Sequence, residues 1–102
     1  MTPKAKKKMS ESETMERTMH SITAKGRAAI GRRRAKVAYE LGALVSSVKV
    51  YPLPGFLQRW ILALLAKRGR MSAWTLYLET GVPTRRAVKS ALSSLLRKGY
   101  IR

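Results

Sequence analysis

Met71-Ser72-Ala73-Trp74-Thr75-Leu76-Tyr77-Leu78-Glu79-Thr80-Gly81-Val82-Pro83-Thr84-Arg85-Arg86-Ala87-Val88 is the stretch that decides the fold. Ser72 reads as a helix N-cap, because its hydroxyl can accept from a free N–H of the first turn. Met71 before it and Leu76 four residues after it have the spacing of a hydrophobic staple. The helix opened in this way covers about 73–80 and stops at Gly81, a residue that tolerates the left-handed C′ position. Gly81-Val82-Pro83 forms a turn, and Thr84 caps a further helix over about 85–98, ending at Gly99.

That last helix divides cleanly. Val88, Ala91, Leu92, Leu95 and Leu96 form its buried face, leaving Arg85, Arg86, Lys89, Ser90, Ser93 and Arg97 outside. The outer face is basic and hydroxylated, with no acid. Tyr100-Ile101-Arg102 reads as a β-strand. Upstream, Leu57, Trp60, Ile61, Leu64 and Leu65 fall at i, i+3, i+4, i+7 and i+8, which predicts a core-facing helix over about 56–67. Lys67, Arg68 and Gly69 end it.

Farther upstream the pattern loosens. Ile30, Val37, Leu41, Leu44 and Val48 make one apolar stripe on a helix expected over about 26–47. The stripe is either core or the seam of a homodimer through 30–48. Val48-Lys49-Val50-Tyr51 is β-prone, and Pro52-Leu53-Pro54-Gly55 marks a boundary. Residues 1–21 offer little to bury, so ordering them would cost entropy without return. They read as a disordered basic arm, or as a solubilising tail, with a short helix across Glu11–Met19 the weaker reading. The expected organisation is therefore an arm at 1–21, a basic amphipathic helix and short extended segment at 22–51, and a three-helix unit at 52–102.

At this point the chain resembles a known family. Leu64-Leu65-Ala66-Lys67-Arg68-Gly69, a short capped helix, Thr80-Gly81-Val82, Val88 with Ala91-Leu92-Ser93-Ser94-Leu95, and Arg97-Lys98-Gly99-Tyr100-Ile101 follow one another in order. That order is similar to the winged helix-turn-helix of bacterial and archaeal transcription regulators of the multiple-antibiotic-resistance regulator group. It covers about residues 56–102. The fold class implied is mainly α: a (winged) helix-turn-helix three-helix core preceded by a basic helix and the arm. Two features depart from the family pattern. The turn between Gly81 and Val88 is one residue longer and holds Pro83, and the sequence ends at Arg102, leaving at most one strand of the wing hairpin. The N-terminal arm would then take the wing's place.

The resemblance implies that the helix over about 84–98 enters the major groove of double-stranded DNA, presenting Thr84, Arg85, Arg86, Lys89 and Ser90. Arg suits bidentate contact to guanine; Thr and Ser hydroxyls suit bases or phosphates. Cations are disfavoured at the positive end of a helix dipole, so Arg85 and Arg86 cost stability unless an anion is near. Arg70 and Ser72, at the start of the preceding helix, are expected to hold a phosphate. Arg32, Arg33 and Arg34 with Lys36 form a dense charge run that favours nucleic-acid contact.

Composition agrees and excludes much else. The chain has 102 residues, 22 Lys and Arg against five acids, and a formal charge of +17. A self-repelling charge of this size favours a polyanionic partner. Residues 1–36 carry 11 basic and 3 acidic side chains, and residues 37–102 carry 11 and 2, so the charge is not confined to a tail. With no Cys, no Asp and a single His, the usual zinc sites and hydrolytic triads cannot be assembled. No catalytic residue, metal or cofactor is expected, and the protein reads as a non-enzyme. The longest apolar run, Trp60–Leu65, is far below the roughly 20 residues that span a bilayer, and no secretory signal is evident. No membrane partner is expected, and the expected location is cytoplasmic, on the nucleoid. The function expected is a DNA-binding regulator of transcription or of plasmid or phage replication, with the arm on phosphates. The alternatives are an RNA-binding small-subunit ribosomal protein and a nonspecific nucleoid-type protein.

Overall fold

In the computed structural model, which describes residues 10–48 and 54–102, Gly31 divides what the sequence reads as one helix. Its φ of 74° lies in the left-handed region, which glycine enters without a Cβ clash. The chain therefore forms α2 (Ala24–Ile30), turns an elbow, and continues as α3 (Arg32–Val48). Before them come α1 (Glu11–Arg17) and β1 (Met19–His20); after them come α4 (Pro54–Arg68), β2 (Met71–Ser72), α5 (Ala73–Thr80) and α6 (Arg85–Arg97). The protein is mainly helical, as the sequence reading expects.

The three C-terminal helices follow their sequence signals closely. The Ser72 hydroxyl accepts from Thr75 N–H at 3.0 Å, and Gly81 closes α5 in the left-handed conformation. Met71 and Leu76 are both buried, as a staple requires. The Thr84 hydroxyl accepts from Ala87 N–H at 3.3 Å and opens α6. On α4 the stripe Leu57, Trp60, Ile61, Leu64 and Leu65 is buried, but so are Leu62 and Ala63. A helix buried nearly all round is the centre of a domain. α4 packs against α2, α3, α5 and α6.

The N-terminal half departs most from expectation. Residues 10–21 are not an arm. Ser10 opens α1 with a reciprocal capping box: its Oγ accepts from Glu13 N–H at 3.2 Å, and Glu13 Oε1 accepts from Ser10 N–H at 2.8 Å. α1 packs on α5, and Met15 is only 3% exposed. Apolar residues isolated in a polar sequence find a surface to bury on once α5 exists, a tertiary effect that local composition does not register. Residues 1–9 lie outside the described residues, as does most of the β-prone segment 48–51; Val48 itself ends α3.

The segment 18–23 runs extended between two others. Met19 pairs with Ser72 and His20 with Met71, antiparallel. Ser21 and Arg102 exchange both N–H···O bonds at 3.0 Å, Ile22 bridges Ile101, and Thr23 N–H donates to Tyr100 O at 2.9 Å. Successive residues of an extended chain point their N–H and C=O groups to opposite edges. One edge of 18–23 therefore meets β2 and the other meets 100–102. Thus the pairing partner of the C-terminal segment comes from the N-terminal part of the chain, and Ile22, Ile30 and Ala38 share one buried core with α4, α5 and α6. The boundary expected at 52 does not separate two cores.

α3 packs through its small residues. Ala38 and Gly42 are buried, whereas Val37, Leu41 and Leu44 are 48%, 46% and 62% exposed. A Cβ at Gly42 would overlap the Trp60 indole of α4. The large apolar stripe is therefore not the core face; Ile30, which belongs to α2, is its only buried member among the described side chains. Backbone approach at Gly42 decided which face of α3 turns inward.

His20, the single histidine, is buried in this sheet with its Nδ1 3.3 Å from Arg102 O. Burial pushes its pKa below the ordinary value, with the Arg102 carbonyl opposing in part. A base with a lowered folded pKa binds fewer protons folded than unfolded, so stability rises with pH across that window. The protein is expected to hold full stability above about pH 6.5 and to lose part of it as pH falls through the folded value. Urea melts between pH 7.5 and 5 on the wild type and His20→Gln check this; the variant should lose the dependence in that range.

Candidate nucleic-acid interface

The face of α6 is built by periodicity. Val88, Ala91, Leu92 and Leu95 are buried against α4 and α5, which fixes the helix about its axis. Arg85, Arg86, Lys89, Ser90, Ser93 and Arg97 then project outward, all exposed. At about 100° per residue they cover one continuous sector. Leu96 falls at the edge of that sector, about 40° round from Leu92, and is 44% exposed, where the sequence reading had it buried. The first turn of α6 holds two arginines and no acid.

Thr84, Arg85, Arg86, Lys89 and Ser90 are thus brought together at one end of one helix. The other sequence-predicted residues are placed elsewhere. Arg70 is exposed just before β2. The Ser72 hydroxyl is occupied: it accepts from Thr75 N–H and donates to Thr75 Oγ1 at 2.9 Å. The Ala73 N–H donates to Thr18 O at 2.9 Å, so the N-terminal segment already covers part of the α5 start. Arg32, Arg33 and Arg34 follow the Gly31 elbow and are all exposed. Arg34 lies in a hollow with Arg59, Lys98 and Tyr100, beside the C-terminal end of α6. Arg32 lines a different hollow, with Lys36 and Lys67.

Two features serve packing. The Trp74 and Tyr77 rings lie 5.2 Å apart, half-buried on α5. Arg68 donates to Tyr39 Oη at 3.2 Å and pairs with Glu79 at 2.9 Å, tying α3, α4 and α5 together. The Tyr39 hydrogen bond and, less strongly, Glu79 raise the pKa of Arg68 against its slight burial. The basic residues that sequence reasoning passed over are Arg59, Lys67 and Lys98. Arg59 and Lys67 lie on α4 and Lys98 caps the end of α6, and only the elbow at Gly31 brings them near the Arg32–Arg34 run. No spacing along one helix signals them.

Among the described residues no group of His, Cys, Asp and Glu is placed to hold a metal ion, and no helix is long and apolar enough to cross a membrane. No protein-family model matches the chain, and neither a curated protein nor a solved structure matches it.

Proposed function

We propose that this chain is a helix-turn-helix DNA-binding protein, a regulator of transcription or of plasmid or phage replication, that lays α6 in the major groove. One observation carries the reading: Thr84, Arg85, Arg86, Lys89 and Ser90 share an exposed helix end with no acid in its first turn, on a helix whose other side is locked in the core. Such an end gathers side chains that pair with guanine and with phosphate oxygens, and the helix dipole itself attracts the anion. α5 braces α6 from behind, as the first helix of such a motif does when it crosses the backbone. The Lys4, Lys6, Lys7 and Lys8 cluster adds charge for phosphates.

Helix-turn-helix proteins commonly bind two-fold sites as dimers. The exposed Val37, Leu41 and Leu44 on α3 support a second copy there. Leu41→Glu is expected to convert a dimer to monomer in analytical ultracentrifugation and to leave the thermal midpoint nearly unchanged. A wild type that sediments as a monomer at tens of micromolar would remove the seam from the account.

The class of partner is tested by gel shift at moderate salt with matched duplex DNA, duplex RNA and single strands. Tighter binding to duplex DNA is the expected result. A preference for RNA would move the assignment to the ribosomal alternative, and equal binding to all would leave only nonspecific electrostatics.

A further inference from the structure

A groove of about 540 Å³ opens between the α2–α3 elbow and the C-terminal half of α4. Arg27, Arg32, Lys36 and Lys67 rim it, with Glu40 the single carboxylate, and alanines of α3 and α4 line its base. Tyr39 also lines it: Lys67 Nζ sits 4.8 Å from the centre of that ring. Arg27, Arg32 and Lys36 form no ion pair with any described residue. Its size falls within the range of ordinary ligand sites, and cations gathered round a concavity attract anions strongly.

A second hollow, on the other side of Ile30, continues the charge with Arg34, Arg59 and Lys98. The two hollows share Ile30 and flank the elbow. A small phosphorylated molecule would fill one of them; a polymer would use both. The second hollow reaches the C-terminal end of α6, about 20 Å along that helix from Arg85.

We propose that the two hollows form a track for a phosphodiester backbone, a nucleic-acid contact distinct from the one at the α6 N-terminus. The proposal rests on reading the chain as nucleic-acid binding, and it adds a second surface. Arg27, Arg32, Lys36 and Lys67 hold phosphates on one side of the elbow, and Arg34, Arg59 and Lys98 hold them on the other. Glu40 opposes binding at the rim.

The test is a chemical-shift titration of the full labelled chain, once with a short duplex and once with inorganic tripolyphosphate. The duplex is expected to shift resonances of Arg27, Arg32, Lys36 and Lys67 as well as those of α6. Replacing the four exposed cations together by Gln is expected to lower the slope of log affinity against log salt by about 3–4, with sequence preference unchanged. Glu40→Gln should strengthen binding. Duplex shifts confined to α6, or an unaltered salt slope, would overturn the track and leave the α6 reading standing. Duplex shifts confined to the track would support it and remove the α6 reading. Shifts in the groove with tripolyphosphate alone would make it a small-anion site and overturn the proposal. No duplex shift at either surface would remove both readings.

Discussion

Gly42→Ala should lower the thermal midpoint by about 5–15 °C. A methyl group at this position would overlap the Trp60 indole, and Trp60 is only 2% exposed, so the ring has no open space to enter. Overpacking a well-filled core costs about 1–3 kcal/mol or more, and here the obstacle is a rigid bicyclic ring rather than a flexible tip. Alanine recovers about 1 kcal/mol through helix propensity, which an interior overlap of this kind outweighs. In a domain of this size each kcal/mol moves the midpoint by about 4–8 °C. Ala43→Gly is the control, because Ala43 is exposed on the same turn. It should cost only the propensity difference. An unchanged midpoint for Gly42→Ala would mean that α3 does not meet α4 at this point.

Arg86→Ala should move binding and stability in opposite directions. If Arg86 reads a guanine, affinity for the specific duplex falls by about 1–3 kcal/mol and discrimination at that base relaxes. Removing a cation from the positive end of α6 should leave the fold unchanged or stabilise it by about 0.3–1 kcal/mol. Arg85→Ala follows the same logic, and whichever of the two contacts only phosphate should weaken all duplexes alike. A structural arginine would show the reverse pattern: lost stability and unchanged affinity.

The C-terminal half was legible because its signals are local. Ser72, Gly81 and Thr84 act on backbone groups within one turn, and the α6 pattern needs no partner to be read. The candidate residues Thr84, Arg85, Arg86, Lys89 and Ser90 therefore fell together on one exposed face as expected. The N-terminal half depends on distant partners. Met15 and His20 are buried only because α5, β2 and the C-terminal segment cover them, which nothing in residues 10–21 announces. On α3 the rule that large apolar side chains face inward failed. Gly42 and Ala38 allow a closer approach than Leu41 or Leu44 would, and close packing of small residues against Trp60 took the core face. The basic track was hidden for a related reason: a break at one glycine brings α2, α3 and α4 cations round a shared concavity.

Binding-site selection from a randomised duplex library at moderate salt tests the central claim most directly. The account predicts enrichment of a short motif, of the kind a single α6 can read, and loss of that enrichment in Arg86→Ala while nonspecific affinity largely persists. A wild-type protein that binds duplexes without enriching any sequence would contradict the assignment of α6 as a base-reading helix.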